Sequence, residues 1–93
     1  MNNEIKFKQL NLKDEIYLGI RPEDISVKDE HSIKFEVKID LIENLGFERI
    51  IYSSSQNNEI KIKTSENIQS GTLKISFPEN KLYLFDKDKN RIR

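Results

Sequence analysis

"SIKFEVKIDLI", residues 32–42, is the stretch that decides the fold. Ile33, Phe35, Val37, Ile39 and Leu41 occupy one phase, and Lys34, Glu36, Lys38 and Asp40 the other. An extended backbone points successive side chains to opposite faces, whereas a helix brings every third or fourth residue together. A run with strict period two therefore predicts a long, half-buried antiparallel strand with Leu41 on its inner face.

Shorter runs repeat the scheme on both sides. Ile5 and Phe7, then Ile16, Leu18 and Ile20, then Ile60 and Ile62, and finally Leu73, Ile75 and Phe77 take the inward phase. In "KLYLF" (81–85), Leu82 and Leu84 face one way and Tyr83 and Phe85 the other, while "ERIIY" (48–52) fits either face. Turn formers separate the runs: Pro22, "KDEHS" (28–32), Gly46, "SSSQNN" (53–58), Gly71, Pro78 with Asn80, and "DKDKN" (86–90). No window carries a helical period. One short helical turn after Pro22 is expected, because proline suits a first helical position and acids suit a helix start. About seven short strands with regular turns give an all-β domain, either a sandwich or a small barrel.

Composition narrows the function. The 93 residues make one domain, and a domain this size buries only about 60 to 65% of its unfolded surface, which leaves little room for a deep cleft. Sixteen basic and sixteen acidic side chains cancel, so there is no net positive field to attract nucleic acid or anionic lipid. The absence of cysteine removes disulfides, thiolate metal sites and thiol nucleophiles, and fits a reducing compartment. No apolar run approaches a membrane span, and "MNNEIKFKQL" lacks the regions of a signal peptide. The expectation is a soluble, intracellular chain.

Candidate chemistry is sparse. His31 is the single histidine and lies in a polar loop, where one imidazole without a positioned partner forms neither a triad nor a metal site. No Gly-rich phosphate loop occurs, so an enzyme is not expected. Asp86, Asp88 and Asn90 imitate the start of a calcium loop. Arg91 replaces the required sixth-position glycine and the twelfth-position glutamate is lacking, so a hairpin turn is expected, with Asn90 in the left-handed region. Inward phases account for Phe7, Phe35 and Phe77, and lysines alternate with acids, which disfavours a nucleic-acid groove. A nucleic-acid-binding or small-anion-binding barrel remains the alternative reading.

The most constrained stretch is "LGIRPEDI", residues 18–25. Gly19 within a strand marks a bulge or a close approach by another segment. Pro22 fixes its own φ and holds Arg21 extended, so the chain turns a corner there. The Arg21 guanidinium is expected to fork onto carbonyls or a carboxylate and lock the corner to a neighbouring strand, with Glu23, Glu43 and Asp86 as candidate partners. Regulatory contacts are expected on the loops "KDEHS" and "SSSQNN".

The same stretch resembles the signature of the C-terminal accessory (TOBE, OB-type) domain of ATPase subunits in sugar-type ABC importers, of which the maltose importer is an example. Two further segments follow in the family's order. "LIENLGFERIIY" resembles its acid–x–Leu–Gly–x–Glu segment at Glu43, Leu45, Gly46 and Glu48, and "FPENKLYLFDKDKNRIR" resembles its closing strand at Leu84, Phe85, Asp86, Arg91 and Ile92. Gly19, Arg21, Pro22 and Glu23 complete the motif positions, read as structural or regulatory. The resemblance implies an OB-like barrel spanning residues 1–93, without catalytic or metal residues, attached to an ATPase domain absent from this chain. ATP and magnesium would bind that domain, so no cofactor is expected here. The implied partners are a second copy, the ATPase domain and permease subunits of a transporter, and a regulatory protein, with sugars or related polar solutes as cargo. The implied location is cytoplasmic, at the inner face of the membrane. Fewer residues precede the corner than in the family, which implies a fragment whose first strands are cut short and leave an edge exposed. Asn90 stands where the family has a glycine, a substitution suited to positive φ.

Overall fold

A computed structural model describes residues 3–8, 15–69, 71–86 and 88–92; side chains of residues 4–8 and 15 are not described, so the inward phase expected of Ile5 and Phe7 lies outside it. Seven strands run in order: β1 (Asn3–Lys8), β2 (Glu15–Ile20), β3 (Ile33–Asn44), β4 (Arg49–Ser55), β5 (Asn58–Thr64), β6 (Thr72–Phe77) and β7 (Tyr83–Phe85). All pairings are antiparallel, in one sheet of order β1-β2-β7 and another of order β5-β4-β3-β6. The all-β expectation holds. The expected helical turn after Pro22 is a 3-10 turn at Pro22–Asp24, and a second, unforeseen one covers Glu79–Lys81.

The barrel is not closed by a continuous ladder. Among the described residues, two short links join the two halves instead. On one side Ser26 and Ser76 exchange backbone hydrogen bonds of 2.9 Å, and the Ser76 hydroxyl donates to the Lys28 carbonyl at 2.7 Å. On the other, the buried Asn3 side chain meets β5: its Nδ2 donates to the Lys61 carbonyl at 2.6 Å, and the Lys61 N–H donates to its Oδ1 at 2.8 Å. One side-chain amide thus stands in for a peptide of an adjacent strand. The edge expected at the N-terminal strands faces β5 here.

Between the sheets lies an isoleucine-rich core of Ile20, Ile25, Val37, Ile39, Ile51, Ile60, Ile62, Ile75 and Phe77. Phe35 packs on Phe77 with ring centroids 5.3 Å apart. The inward assignments of Ile20, Ile60, Ile62, Ile75 and Phe77 hold, and "ERIIY" resolves with Ile51 inside.

Leu41 does not follow the alternation. A bulge between Ile39 and Leu41 adds one residue to β3, so Asp40 and Leu41 both point outward and Ile42 returns to the core side. Leu41 is 60% exposed, which corrects the inward phase expected of it. An extra residue reverses the phase of everything beyond it, because the side-chain period of a strand is two. β3 therefore builds inward rows Ile39–Ser53–Ile60 and Ile42–Ile51–Ile62, and outward rows Leu41–Tyr52–Lys61 and Glu43–Ile50–Lys63. Its 12 residues at about 3.3 Å each account for the molecule's 41 Å long dimension.

Candidate functional site: the Arg-Pro corner and the β3–β4 hairpin tip

The corner follows from local chemistry. Arg21 is extended (φ −75°, ψ 145°), as a residue before proline must be, and Pro22 opens the 3-10 turn. The Asp24 N–H donates to the Arg21 carbonyl at 3.0 Å, and Arg21 Nε donates to Asp24 Oδ2 at 3.0 Å. The arginine thus ties the turn to itself across three residues. Among the described residues its hydrogen-bonding partner is Asp24, not Glu23, Glu43, Asp86 or a neighbouring strand. A tight turn brings Asp24 within reach before any distant carboxylate can compete. That hydrogen bond, then the Asp24 charge, raises the pKa of an Arg21 guanidinium that is cationic in any case.

The turn packs beside β5 and separates two open clefts, both lined by Glu23 and Lys63. The first, about 460 Å³, lies between the segment Glu23–Lys28 and the segment Lys63–Glu66. Lys28 Nζ bridges its walls to Glu66 Oε1 at 3.1 Å, and this contact raises the lysine pKa. His31 lines the same cleft 3.9 Å from Glu30. Acids (Glu23, Asp24, Glu30, Glu66) and bases (Lys28, Lys63, Lys81) intermix there, so the cleft carries no concentrated charge of one sign. The second, about 270 Å³, is walled by Pro22 and Glu23 on one side and by Ile50, Tyr52, Lys61 and Lys63 on the other.

The motif residues fall into three places. Gly19 pairs with Tyr83, and a Cβ at Gly19 would lie 3.0 Å from the Phe85 ring, so the glycine marks a close approach and not a bulge. That contact joins the first and last motifs. Glu43, Leu45, Gly46 and Glu48 form the β3–β4 hairpin tip: Gly46 has φ 97°, its N–H donates to Asn44 Oδ1 at 3.0 Å, and the Leu45 N–H donates to the Glu48 carbonyl at 2.8 Å. Glu48 approaches Lys63 at 3.5 Å, which brings the tip to the second cleft beside Pro22 and Glu23. Asp86 belongs to the final turn. Its Oδ1 accepts the N–H groups of Asp88 (3.0 Å) and Asn90 (2.8 Å), so the carboxylate caps the turn. The left-handed residue there is Lys89 (φ 66°), which corrects the expectation for Asn90. Arg91 and Lys89 lie over the rings of Tyr83 and Tyr17 at 4.6 and 4.5 Å.

"SSSQNN" is not an open loop. Ser53–Ser55 complete β4, and Gln56 (φ 50°) with Asn57 (φ 67°) makes a two-residue turn into β5. The alternation missed two exposed apolar residues, Leu41 and Phe47, the latter 83% exposed at the hairpin tip. It also missed the buried polar residues Asn3 and Ser76, whose partners Lys61 and Lys28 lie far along the chain, and Ser53, whose hydroxyl donates to the Ile60 carbonyl at 2.7 Å across the neighbouring hairpin. Only Leu41 left a sequence signal, since the consecutive apolar pair Leu41–Ile42 cannot occupy one face of a regular strand.

No protein-family profile matches the chain. Three import proteins are similar to it. It is 32% identical over 78 residues to the sn-glycerol-3-phosphate import ATP-binding protein UgpC of Jannaschia sp., covering 82% of this chain. It is 38% identical over 82 residues to the oligosaccharides import ATP-binding protein MsmX of Bacillus subtilis, covering 80%. The UgpC protein of Psychromonas ingrahamii is 32% identical over 88 residues, covering 83%. The chain spans only 22 to 23% of the length of these relatives. The match covers most of this small all-β chain and about a fifth of each relative. This chain is thus a relative of the ATP-binding subunits of sugar-type ABC importers and resembles their C-terminal accessory domain.

Proposed function

We propose that this chain is a non-catalytic accessory domain that associates with a second copy of itself and so holds the ATP-binding subunits of an importer together. The observation carrying this reading is the match of over 80% of its length, in two of three cases, to 22 to 23% of proteins named as import ATP-binding proteins. ATP and magnesium belong to the ATPase domain of such a subunit, and the complex works at the cytoplasmic side of the membrane on permease subunits. Two of the relatives carry glycerol phosphate in their names and one carries oligosaccharides, so the cargo is a sugar or a related polar solute.

The mechanism is mechanical. Two linked subunits experience a raised effective concentration of each other, which lowers the entropic cost of bringing their ATPase domains together. A regulatory protein that bound one relative orientation of the accessory domains better than another would shift transport by that difference in affinity. Light scattering of the 93-residue chain across a concentration series tests the association step. A monomer–dimer equilibrium is expected. A strict monomer at every concentration overturns the association role.

A further inference from the structure

The bulge in β3 leaves the molecule with a half-exposed outward face that Pro22 and Glu23 border on its β5 side. Beyond Asp40 the outward rows read Leu41–Tyr52–Lys61 and Glu43–Ile50–Lys63 across β3, β4 and β5. Each row has an apolar residue on the central strand and a lysine on β5, and the second has a carboxylate on β3. Strands are about 4.8 Å apart, so Glu43 and Lys63 flank the β4 axis at roughly equal distances. Leu41 and Phe47 are 60% and 83% exposed on the same hairpin.

This arrangement is complementary to itself. Turning a second copy by 180° about an axis along β4 sets β3 of one copy over β5 of the other. Ile50 then meets Ile50, Tyr52 meets Tyr52, and Glu43 comes over Lys63. Leu41 comes over the Lys61 stem, where the cleft of about 270 Å³ between Pro22 and Tyr52 is open to receive it. Lys63 lies 3.5 Å from its own Glu48, which leaves ammonium protons for a second carboxylate. A two-fold axis running across the strands at this row would instead set β3 over β3 and β5 over β5, with Lys63 over Lys63 and Glu43 over Glu43, which the charges oppose.

We propose that the outward face of β3, β4 and β5 is a two-fold contact between copies of this chain. Leu41, Ile50 and Tyr52 form its apolar centre, and Glu43 of one copy against Lys63 of the other sets its register. This rests on the association reading above and gives it a surface. The face is small, so the dissociation constant is about micromolar or weaker.

The test is sedimentation velocity on the full chain and on Glu43→Lys, Lys63→Glu and Leu41→Asp, with circular dichroism confirming that each folds. Each single change is expected to raise the dissociation constant about tenfold or more. Mixing Glu43→Lys with Lys63→Glu restores both charge pairs, so the equimolar mixture should dimerise where neither variant does alone. A wild-type dimer indifferent to all three changes overturns this surface while leaving association intact. A wild-type chain that stays monomeric at millimolar concentration overturns both.

Discussion

At Asn3 a side-chain amide occupies the place of a peptide group, donating to and accepting from Lys61 across the gap between β1 and β5. Both bonds are lost together if the amide is removed, and the Lys61 N–H and C=O are left in a half-buried seam. Asn3→Ala should therefore cost about 1–3 kcal/mol in urea unfolding, the usual penalty for stranding buried polar groups. Asn3→Asp should cost more, because a carboxylate replaces the donor and faces the Lys61 carbonyl. Equal midpoints for wild type and Asn3→Ala would mean that the amide contact adds nothing to the seam. Gly19 is constrained differently: a Cβ there would sit 3.0 Å from the Phe85 ring, which would have to shift to admit it.

Within β3, one inserted residue divides a single pattern into two phases. Ile39, before the bulge, is buried, and Leu41, after it, is not. Ile39→Ala should destabilise by about 2–5 kcal/mol, while Leu41→Ala at low concentration should stay within about 0.5 kcal/mol. Comparable losses at the two positions in chemical denaturation would mean that the alternation runs unbroken. The contrast also explains how much of the fold was legible. Long apolar alternation marked both the strands and the inward phase of Ile20, Ile60, Ile62, Ile75 and Phe77, because it depends only on neighbours in sequence. The bulge depends on how β4 pairs with β3, and Asn3 and Ser76 depend on partners far along the chain, at Lys61 and Lys28. The corner was legible as a corner, since Pro22 acts on its immediate neighbour. Its arginine was not, because short reach favoured Asp24 over every distant candidate. Likewise the hairpin tip was recognised as a motif, but its exposed Phe47 was not singled out.

For the molecule as a whole, the pairs Lys28–Glu66, Asp29–Lys34 and Glu48–Lys63 lie at the surface, where they shape pH dependence more than total stability. Asp29 bonds to Lys34, and that hydrogen bond, then the lysine charge, holds the carboxyl below its usual range. A depressed carboxylate pKa stabilises the fold above the unfolded value of about 3.9 and loses that contribution as pH falls through the folded value. Lys28 has the opposite sign: raised by Glu66, it stabilises below about 10.4 and loses its contribution as pH rises through the folded value. Urea midpoints should therefore hold across the middle of the pH range and fall at both ends, and Asp29→Asn should flatten the acid limb alone. An unchanged acid limb in that variant would assign the loss to other groups. The Asn3–Lys61 link also bears on the order of folding, since it spans 58 residues and must wait for the chain between to be placed. The β3–β4–β5 meander closes through short turns and needs no such wait, so it is the natural nucleus. Ile51→Val should then slow refolding, whereas Asn3→Ala should chiefly hasten unfolding; the reverse pattern in stopped-flow kinetics would put the seam first. A chain built this way fastens its two halves late, and the Asn3 amide is one of the two latches that hold them.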